Sequence, residues 1–229
     1  MSGLIDTTEM YLKTVFEFIE EGVPSLRARI VERLGQSGPT VSETVARIER
    51  DGLLEMPDGK HVAFTAKGNE LANKVMRRHR IAECFMREIL KMPLAKVHAE
   101  ACRWEHAISD DVANRMMEFL NNPKVDPFGN SIPAAVDGPQ AIETAEKVGL
   151  CALSAVKLAE NEPKKVKVVR FAESLQLAEA QISLFVDAGF LPGVDVLVRD
   201  FVDDEVFVDV GAEKLALSLE SAVKIFVRV

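Results

Sequence analysis

Apolar residues between Thr7 and about Ala113 recur mostly at the three- to four-residue spacing of α-helices. Turns interrupt this pattern at EEGVPS, GQSGPT and EMPDGKHVAFTAKG, where glycine and proline occur. A segment rich in proline, glycine and asparagine follows, NNPKVDPFGNSIPAAVDGP. Beyond it, apolar and polar residues alternate in KKVKVVRF, GVDVLVRDF, DEVFVDVG and SAVKIFVRV. The pattern therefore predicts a mainly α N-terminal part, a linker and a small all-β C-terminal domain.

Two of the predicted helices flank the GQSGPT turn, as in a helix-turn-helix. The second helix, in TVSETVARIERDGL, is expected to bury Val41, Val45 and Ile48, and Ser37 is placed to cap its N-terminus. The next segment, RDGLLEMPDGKHVAFTAKG, predicts two strands around a PDGK turn. These features favour a winged helix-turn-helix. The alternative is a plain helical pair with a hairpin on a globular core.

The 229-residue chain is 48% apolar and 28% charged, which is typical of a globular protein with more than one domain. Its apolar runs fall short of the roughly 20 residues that cross a bilayer, and MSGLIDTTEM lacks the basic start and apolar core of a signal peptide. Three widely spaced cysteines fit reduced thiols better than a disulfide framework. We therefore expect a cytoplasmic protein without a membrane partner.

The net charge of −8 argues against broad nucleic-acid binding through bulk charge, but the predicted helix pair is locally basic. Five arginines against three glutamates lie between Pro24 and Arg50. Arginines at the helix ends suit phosphate contacts, and short side chains at Ser37, Pro39 and Thr40 would let the second helix enter a major groove. Each arginine taken singly could equally be a solvated surface charge, so the prediction of DNA binding depends on the cluster.

The stretch KVHAEACRWEH contains two of the four histidines and one of the three cysteines. His98, Cys102 and His106 follow one another at steps of four and therefore lie on one side of a helix. The two histidines, however, are about 12 Å apart along the axis at about 1.5 Å per residue, whereas metal–ligand bonds are about 2.0–2.3 Å long. One ion cannot bind both histidines, so the spacing predicts two sites.

A second stretch, MRRHRIAECF, supplies partners for one of these sites. One group would comprise His79, Glu83 and His98. The other group would comprise Cys102, Glu105 and His106. Singly, such residues often decorate a polar helix face, and a free cysteine is often a small buried hydrophobe. Together, in so histidine-poor a chain, they favour metal binding, and a mixture of imidazole, carboxylate and one sulfur without a CxxC pair favours Fe(II) or a neighbouring divalent ion.

Several stretches of the chain resemble the diphtheria toxin repressor and iron-dependent regulator family of metal-activated repressors. They are DTTEMYL, EEGV, LRARIVERLGQSGPTVSETVARIERDGL, VMRRHRIAE, KVHAEACRWEHAISDDV and DPFGNSIP. This resemblance spans about residues 4–133, whereas the C-terminal part is similar only in outline to the family's SH3-like domain, through FAESLQ, DAGFLPGVDV and the final strand.

The resemblance implies three domains. A winged helix-turn-helix DNA-binding domain is expected at residues 1–73. A helical metal-binding and dimerisation domain, ending in the proline-rich linker, is expected at 74–140. A small all-β SH3-like domain is expected at 150–229.

The resemblance also implies two metal sites and a DNA-binding surface. The ligands of the primary, activating site would be Met10, Cys102, Glu105 and His106. Those of the ancillary site would be His79, Glu83, His98, Glu173 and Gln176. The DNA-binding residues would be Thr7, Arg27, Gln36, Ser37, Pro39, Thr40, Ser42, Arg47 and Arg50. Glu43 is a departure, because the family has glutamine at this position.

The function that the resemblance implies is Fe(II)-activated repression. The chain would bind two Fe(II) ions and, as a metal-loaded homodimer, the palindromic double-stranded operators of iron-uptake and iron-homeostasis genes. Co(II), Ni(II), Mn(II) or Zn(II) are expected to substitute in vitro. A Mn(II)-responsive repressor of the same fold stays an alternative, although the sulfur ligands Met10 and Cys102 favour iron.

Two other classes of function are open on the residues alone. A metal-dependent hydrolase or oxygenase could use the same ligands, but the ligands saturate the ions and no general base is evident beside an open coordination position. An iron-handling adaptor could bind a proline-rich partner through its SH3-like domain, with NNPKVDPFGNSIP as an internal ligand of that kind rather than a plain linker.

Overall fold

The structure is a computed structural model that describes residues 6–159 and 162–229. The described residues form two compact units. The first contains residues 6–82, 101–122 and 132–144, and the second contains residues 83–100, 123–131, 145–159 and 162–229. Residues 1–5 of the predicted DNA-binding domain and residues 160 and 161 of the predicted SH3-like domain lie outside the described residues. Within the described ranges, no helix combines the length and the apolar character needed to cross a membrane.

Helices and one short hairpin make up the described N-terminal part. Their bounds are α1 Thr7–Glu21, α2 Arg27–Leu34, α3 Gly38–Arg50, β1 Leu54–Glu55, β2 Ala63–Phe64, α4 Ala66–Glu88, α5 Leu94–Trp104 and α6 Asp110–Phe119. The pair α2 and α3 followed by the antiparallel β1–β2 hairpin confirms the predicted winged helix-turn-helix. Helices α4 and α5 each contribute residues to both units.

Helix α1 lies inside the first unit. Asp6 caps it, because its side chain accepts hydrogen bonds from the backbone N–H groups of Thr8 at 2.8 Å and Glu9 at 3.2 Å. Every residue from Tyr11 to Phe18 is buried, so the helix is enclosed on all its faces rather than along one stripe. The charged residues of α1 therefore need partners inside the protein.

Helix α3 packs as its sequence predicts. Ser37 is its N-cap and accepts a hydrogen bond from the backbone N–H of Thr40 at 3.3 Å. Val41, Val45 and Ile48 are buried. They join apolar residues of α1, α2, the hairpin and α4 in one hydrophobic core, which fixes the position of α3 relative to α1.

The second unit contains a six-stranded antiparallel sheet of order β3-β8-β4-β5-β6-β7. The strands are β3 Cys151–Ala152, β4 Lys164–Phe171, β5 Asp195–Val202, β6 Glu205–Val210, β7 Glu213–Ser218 and β8 Ile225–Arg228, and the helices beside them are α7 Glu173–Gln176, α8 Glu179–Asp187 and α9 Leu219–Ala222. The four alternating segments of the sequence form β4, β5, β6 and β8. The sequence prediction missed the two-residue β3 and also β7, which pairs with β6 after the turn at Gly211.

The proline-rich segment is irregular, as predicted, but its middle portion is packed rather than exposed. Phe128 and Asn130 are fully buried in the second unit. Phe128 accepts a backbone hydrogen bond from Phe171 of β4 at 2.9 Å, and the Asn130 side-chain amide donates to the Phe171 carbonyl at 3.1 Å. A Cβ at Gly129 would lie 2.0 Å from the carbonyl oxygen of Val169, so only glycine fits here. The segment therefore forms part of the structure around β4.

The close approach of Gly68 to the backbone of Leu53, directly before β1, provides a test of the packing in the first unit. A Cβ at Gly68, on α4, would lie 1.8 Å from the backbone carbonyl oxygen of Leu53, which cannot move without displacing β1. We expect Gly68→Ala to destabilise the protein by about 1–3 kcal/mol or more, measured as a fall in the midpoint of thermal unfolding. Gly38→Ala is the matched control, because nothing lies within 4 Å of a Cβ there. Similar midpoints for the two variants would contradict the packing described.

Candidate metal centre and DNA-binding face

Two ion pairs, one buried and one partly buried, connect α1 with α4 in the first unit. Arg80 binds both carboxylate oxygens of Glu20, at 3.0 and 2.7 Å, and both side chains are buried. Arg78 donates to Glu9 at 2.7 Å. Because an unpaired charge in a protein interior is strongly unfavourable, these pairs determine how the two helices lie against each other.

The centre of this charged layer is Glu105, at the end of α5. Lys13 donates to Glu105 Oε2 at 2.8 Å, and His79 Nδ1 lies 2.6 Å from the same oxygen and 3.0 Å from Lys13 Nζ. All three residues are buried. Burial alone would raise the pKa of Glu105, but the charges and hydrogen bonds of Lys13 and His79 outweigh it and lower the pKa to about 2. Glu105 is therefore an anion in a largely water-free site.

Two further predicted ligands adjoin Glu105. Cys102 Sγ lies 3.4 Å from Lys13 Nζ, so the thiol and the carboxylate contact the same ammonium group. His106 Nε2 lies 3.3 Å from Glu105 Oε1, while its Nδ1 lies 2.7 Å from Glu9 Oε2. The imidazole therefore lies between the two carboxylates, with Nδ1 towards Glu9 and Nε2 towards the cluster.

Met10 lies on the same helix, three residues before Lys13. It is partly buried and packs against the hydrophobic core of the first unit. Its backbone carbonyl accepts a hydrogen bond from the Thr14 hydroxyl at 3.0 Å. Residues three apart on a helix share a face, so Met10 and Lys13 lie one turn apart on one side of α1.

The donor set of this cluster suits a metal ion. A thiol, a carboxylate and an imidazole come together, and a thioether lies on the neighbouring turn of α1. These groups match the ligands of transition ions such as iron and zinc rather than those of calcium or magnesium. The ammonium group of Lys13 between Cys102 and Glu105 shows that the cluster accommodates a positive charge.

The second unit brings three of the predicted ancillary ligands together. His98 Nδ1 lies 3.2 Å from Glu83 Oε1 and 3.3 Å from Glu173 Oε2, and all three residues are buried. Glu83 is on α4 and His98 on α5, whereas Glu173 begins the short helix α7 directly after β4. Their ligand atoms lie within 4.8 Å of one another. Two carboxylates and one imidazole in such a volume form a site for a cation.

Gln176 is also on α7 and is 1% exposed. Its Nε2 donates to the Phe171 carbonyl at 3.1 Å, but within the described residues its Oε1 has no hydrogen-bond partner. A buried acceptor without a donor fits a site that receives a cation. The remaining predicted ancillary ligand, His79, lies one helical turn before Glu83 on α4 and belongs to the first unit, where it contacts Glu105.

The DNA-binding residues predicted on α3 lie mostly on its solvent face. Ser37, Pro39, Thr40, Ser42 and Arg50 are exposed, as are Thr7 at the start of α1 and Arg27 at the start of α2. The departure from the family, Glu43, lies on the same exposed face. The N-terminus of α3 is thus presented to solvent, as are an arginine at the start of α2 and another at the end of α3, and such groups suit phosphate contacts.

Two of the predicted DNA-binding residues, Gln36 and Arg47, have partners within the protein. The Tyr11 hydroxyl donates to the Gln36 side-chain carbonyl. Arg47 donates to the Thr8 hydroxyl at 3.3 Å and lies 3.7 Å from Asp51.

Arg33, one of the five arginines between Pro24 and Arg50, is a correction to the basic cluster predicted from the sequence. Arg33 binds Glu17 at 2.7 Å and Glu21 at 3.0 Å on α1 and lies over the Phe18 ring. Burial alone would lower the pKa of Arg33, but the two carboxylates raise it by a larger amount. The pKa therefore lies above its usual value, and the guanidinium stays charged. Its role is to hold α2 on α1, and it is not available for phosphate contact.

Sequence reasoning missed Lys13 and Glu9 as parts of the cluster. Both are close to Met10 on α1, and Lys13 is the single basic residue of this otherwise acidic helix. A single lysine among the apolar residues of a buried helix indicates that an acidic side chain is buried beside it. This signal is present in the sequence. Which carboxylate it would meet depended on the packing of α1 against α5.

Two family models match the chain. Residues 3–62 match the model described as the iron dependent repressor N-terminal DNA binding domain. Residues 65–134 match the model described as the iron dependent repressor metal binding and dimerisation domain. The two matches together cover more than half of the chain.

Whole-chain relatives agree with these models. The iron-dependent repressor IdeR of Mycobacterium leprae is 43% identical over 226 residues, which cover 97% of this chain and 96% of that protein. The diphtheria toxin repressor of Corynebacterium diphtheriae is 44% identical over 211 residues and 87% of each chain. A solved structure described as a manganese-dependent transcriptional repressor in complex with manganese has a TM-score of 0.81 at 24% identity, covering 97% of this chain and 99% of that one, and thus shares the fold.

The pairing of Glu105 with Lys13 leads to a testable expectation about stability. In metal-free protein, Glu105→Gln would leave the Lys13 ammonium buried without its counter-charge, at a cost of about 3 kcal/mol. Thermal unfolding in the presence of a chelator measures this loss. Glu70→Gln is the control, because its pair with Lys74 is exposed to water and is expected to contribute little. Equal midpoints for the two variants would show that the Glu105 pair does not stabilise the fold.

Proposed function

Because the chain belongs to the iron-dependent repressor family, we propose that it is an Fe(II)-activated repressor that binds palindromic operators of iron-uptake and iron-homeostasis genes as a homodimer. Membership in the family makes the protein a metal-dependent transcriptional repressor and not an enzyme. Beyond family membership, we propose which ion activates the protein, which residues bind the ion and the DNA, and which operators are recognised. A chromosomal target and three cysteines outside any disulfide in the described residues support a cytoplasmic location.

One observation supports the primary site above all others: Cys102 and Glu105 contact a single positive charge, the ammonium of Lys13. Because the Cys102 thiol and the Glu105 carboxylate contact the same ammonium group, they are close enough to bind one metal ion together. His106 lies beside Glu105, and its Nδ1–H is held by Glu9, so that Nε2 is the donor atom. We assign Met10, Cys102, Glu105 and His106 to the primary site.

The ancillary site is assigned to Glu83, His98, Glu173 and Gln176, with His79 from the preceding turn of α4. The buried contacts of His98 with both carboxylates and the acceptor Oε1 of Gln176 support this assignment. Two negative charges buried in one place are unfavourable unless a cation or a proton accompanies them. We therefore propose two Fe(II) ions per chain.

The sulfur ligands favour iron over manganese as the activating ion. A thiolate and a thioether are soft donors, whereas Mn(II) prefers oxygen-rich sites. The relatives at 43% identity and above over most of the chain are named for iron or for diphtheria toxin, and the manganese-dependent neighbour shares only 24% identity. Mn(II) regulation stays the alternative, and Co(II), Ni(II) and Zn(II) are expected to bind in vitro.

Helix α1 connects the primary site to the DNA-binding face. It carries Met10, and Arg47 of the recognition helix α3 donates to Thr8 at its start. When bound, the ion supplies a link between α1 and α5. Residues of α1 share one core with α2, α3 and the wing, so fixing α1 fixes the direction of the recognition helix. By linkage, operator DNA should in turn tighten metal binding.

The DNA contacts are proposed on the exposed face described above. Arg27 and Arg50 would bind phosphates, while Ser37, Pro39, Thr40 and Ser42 would face the base edges with Thr7, Gln36 and Arg47 at the border of the interface. Short polar and apolar side chains read thymine methyl groups more readily than guanine edges. Glu43 on this face repels phosphate and would alter specificity at one position.

Metal-dependent DNA binding is the decisive test. We expect Fe(II) under anaerobic conditions to raise the affinity for a palindromic operator by about 10-fold or more, and Mn(II) to do so less well at equal free concentration. Fluorescence anisotropy with buffered free metal measures both ions side by side. Equal binding with a chelator present would refute the corepressor mechanism, and a stronger response to Mn(II) would favour the alternative.

The two sites can be told apart by substitution. Cys102→Ala removes a ligand of the primary site and is expected to abolish metal-dependent operator binding. Glu173→Gln removes one charge from the ancillary site and is expected to weaken the response by about 10-fold. Glu173 is preferable to His79 for this purpose, since His79 also contacts Glu105. The reverse order of effects would overturn the assignment of the two sites.

A further inference from the structure

We propose that Lys13 is a built-in competitor of the activating ion: its ammonium group holds Cys102 and Glu105 in the metal-free protein and leaves them when metal binds. This inference rests on the primary site assigned above and names a residue that sets its affinity. Lys13 would then determine the metal concentration at which the repressor responds.

The geometry places the ammonium inside the ligand cluster. Lys13 Nζ lies 2.8 Å from Glu105 Oε2, 3.4 Å from Cys102 Sγ and 3.0 Å from His79 Nδ1. The side chain is only 7% exposed, so its charge is compensated by protein groups and not by water. Lys13 thus occupies the space between two assigned ligands.

A metal ion and the ammonium cannot share that space. An ion bonded to Cys102 and Glu105 at about 2.0–2.3 Å would lie within a few ångströms of Nζ, where two positive charges repel strongly in a water-poor site. The free energy of metal binding therefore includes the loss of the Lys13 contacts. The ligands are held close together before the ion arrives, yet the ion binds only after Lys13 has been displaced.

The position of Met10 gives this competition a structural consequence. Lys13 and Met10 lie one turn apart on the same side of α1. In the metal-free protein α1 is held to α5 by Lys13, and in the loaded protein it would be held by Met10 through the ion. Exchanging one anchor for the other would change which turn of α1 faces Cys102 and Glu105, while the helix stays attached.

A Co(II) titration of the full-length protein tests the competition directly. The charge-transfer band between Co(II) and a thiolate reports on Cys102 and does not require DNA binding. Lys13→Leu removes the charge without adding a ligand, and we expect it to tighten Co(II) binding by about 10-fold or more. Lys13→Arg keeps the charge and is expected to stay within about threefold of the wild type.

A second readout is the stability of the metal-free protein. Without the ammonium, Glu105 loses the buried cation with which it pairs, so Lys13→Leu should lower the unfolding midpoint in chelator and enlarge the upward shift that Co(II) produces. Lys74→Met is the matched control, since Lys74 is a half-exposed lysine that pairs with Glu70 on α4. This control should leave both the Co(II) affinity and the Co(II)-induced shift unchanged.

The outcomes separate the proposal from the site on which it rests. Loss of the charge-transfer band in Cys102→Ala together with tighter binding in Lys13→Leu supports both. Loss of the band with a Lys13→Leu affinity within about threefold of the wild type, or weaker, overturns the role of Lys13 and leaves the site intact. A band that persists in Cys102→Ala refutes the site, and the proposal with it. If Lys13→Leu does not fold, Lys13→Ala takes its place with the same expectations.

Discussion

Burial of charge on α1 is the constraint on which the first unit depends. The helix is buried from Tyr11 to Phe18 and carries Glu9, Lys13 and Glu20, each of which pairs with an opposite charge within the protein. Arg78 and Arg80 supply two of these partners from α4, and Glu105, directly after α5, supplies the third. An unpaired buried charge costs several kcal/mol, so these pairs favour the observed alignment of α1 with α4 and α5. The candidate metal centre lies where that alignment brings opposite charges together.

The same helix explains how an ion at one place can influence DNA binding at another. α1 shares a hydrophobic core with the recognition helix α3, and polar contacts at Thr8 and Tyr11 reach Arg47 and Gln36. We expect a change in the contacts between α1 and α5 to be transmitted through these packed side chains, because residues in a dense core shift together. Regulation of this kind needs no direct contact between the ion and the DNA.

The ancillary cluster depends on a different element, the passage from β4 into α7 in the second unit. Glu173 follows the end of β4 directly, and the packed segment around Phe128 and Asn130 supports the same strand end through the backbone of Phe171. The proline-rich segment thus contributes to the shape of the site rather than merely connecting domains. The composition of this segment is typical of a flexible linker and did not predict that it would support the end of β4.

The amino-acid sequence alone predicted the helical N-terminal part, the winged hairpin and four of the six strands of the sheet, because these depend on local periodicity, caps and turns. Helix rise also led to the prediction that His98 and His106 belong to two separate metal sites. Which distant residues meet is visible only in the folded protein. There, Lys13 lies beside Cys102 and Glu105, and Arg33 binds carboxylates of α1 instead of facing DNA. The middle of the proline-rich segment packs against the end of β4. Such contacts join positions far apart in the chain, and the cost of burying an unpaired charge, rather than any local pattern, selects them.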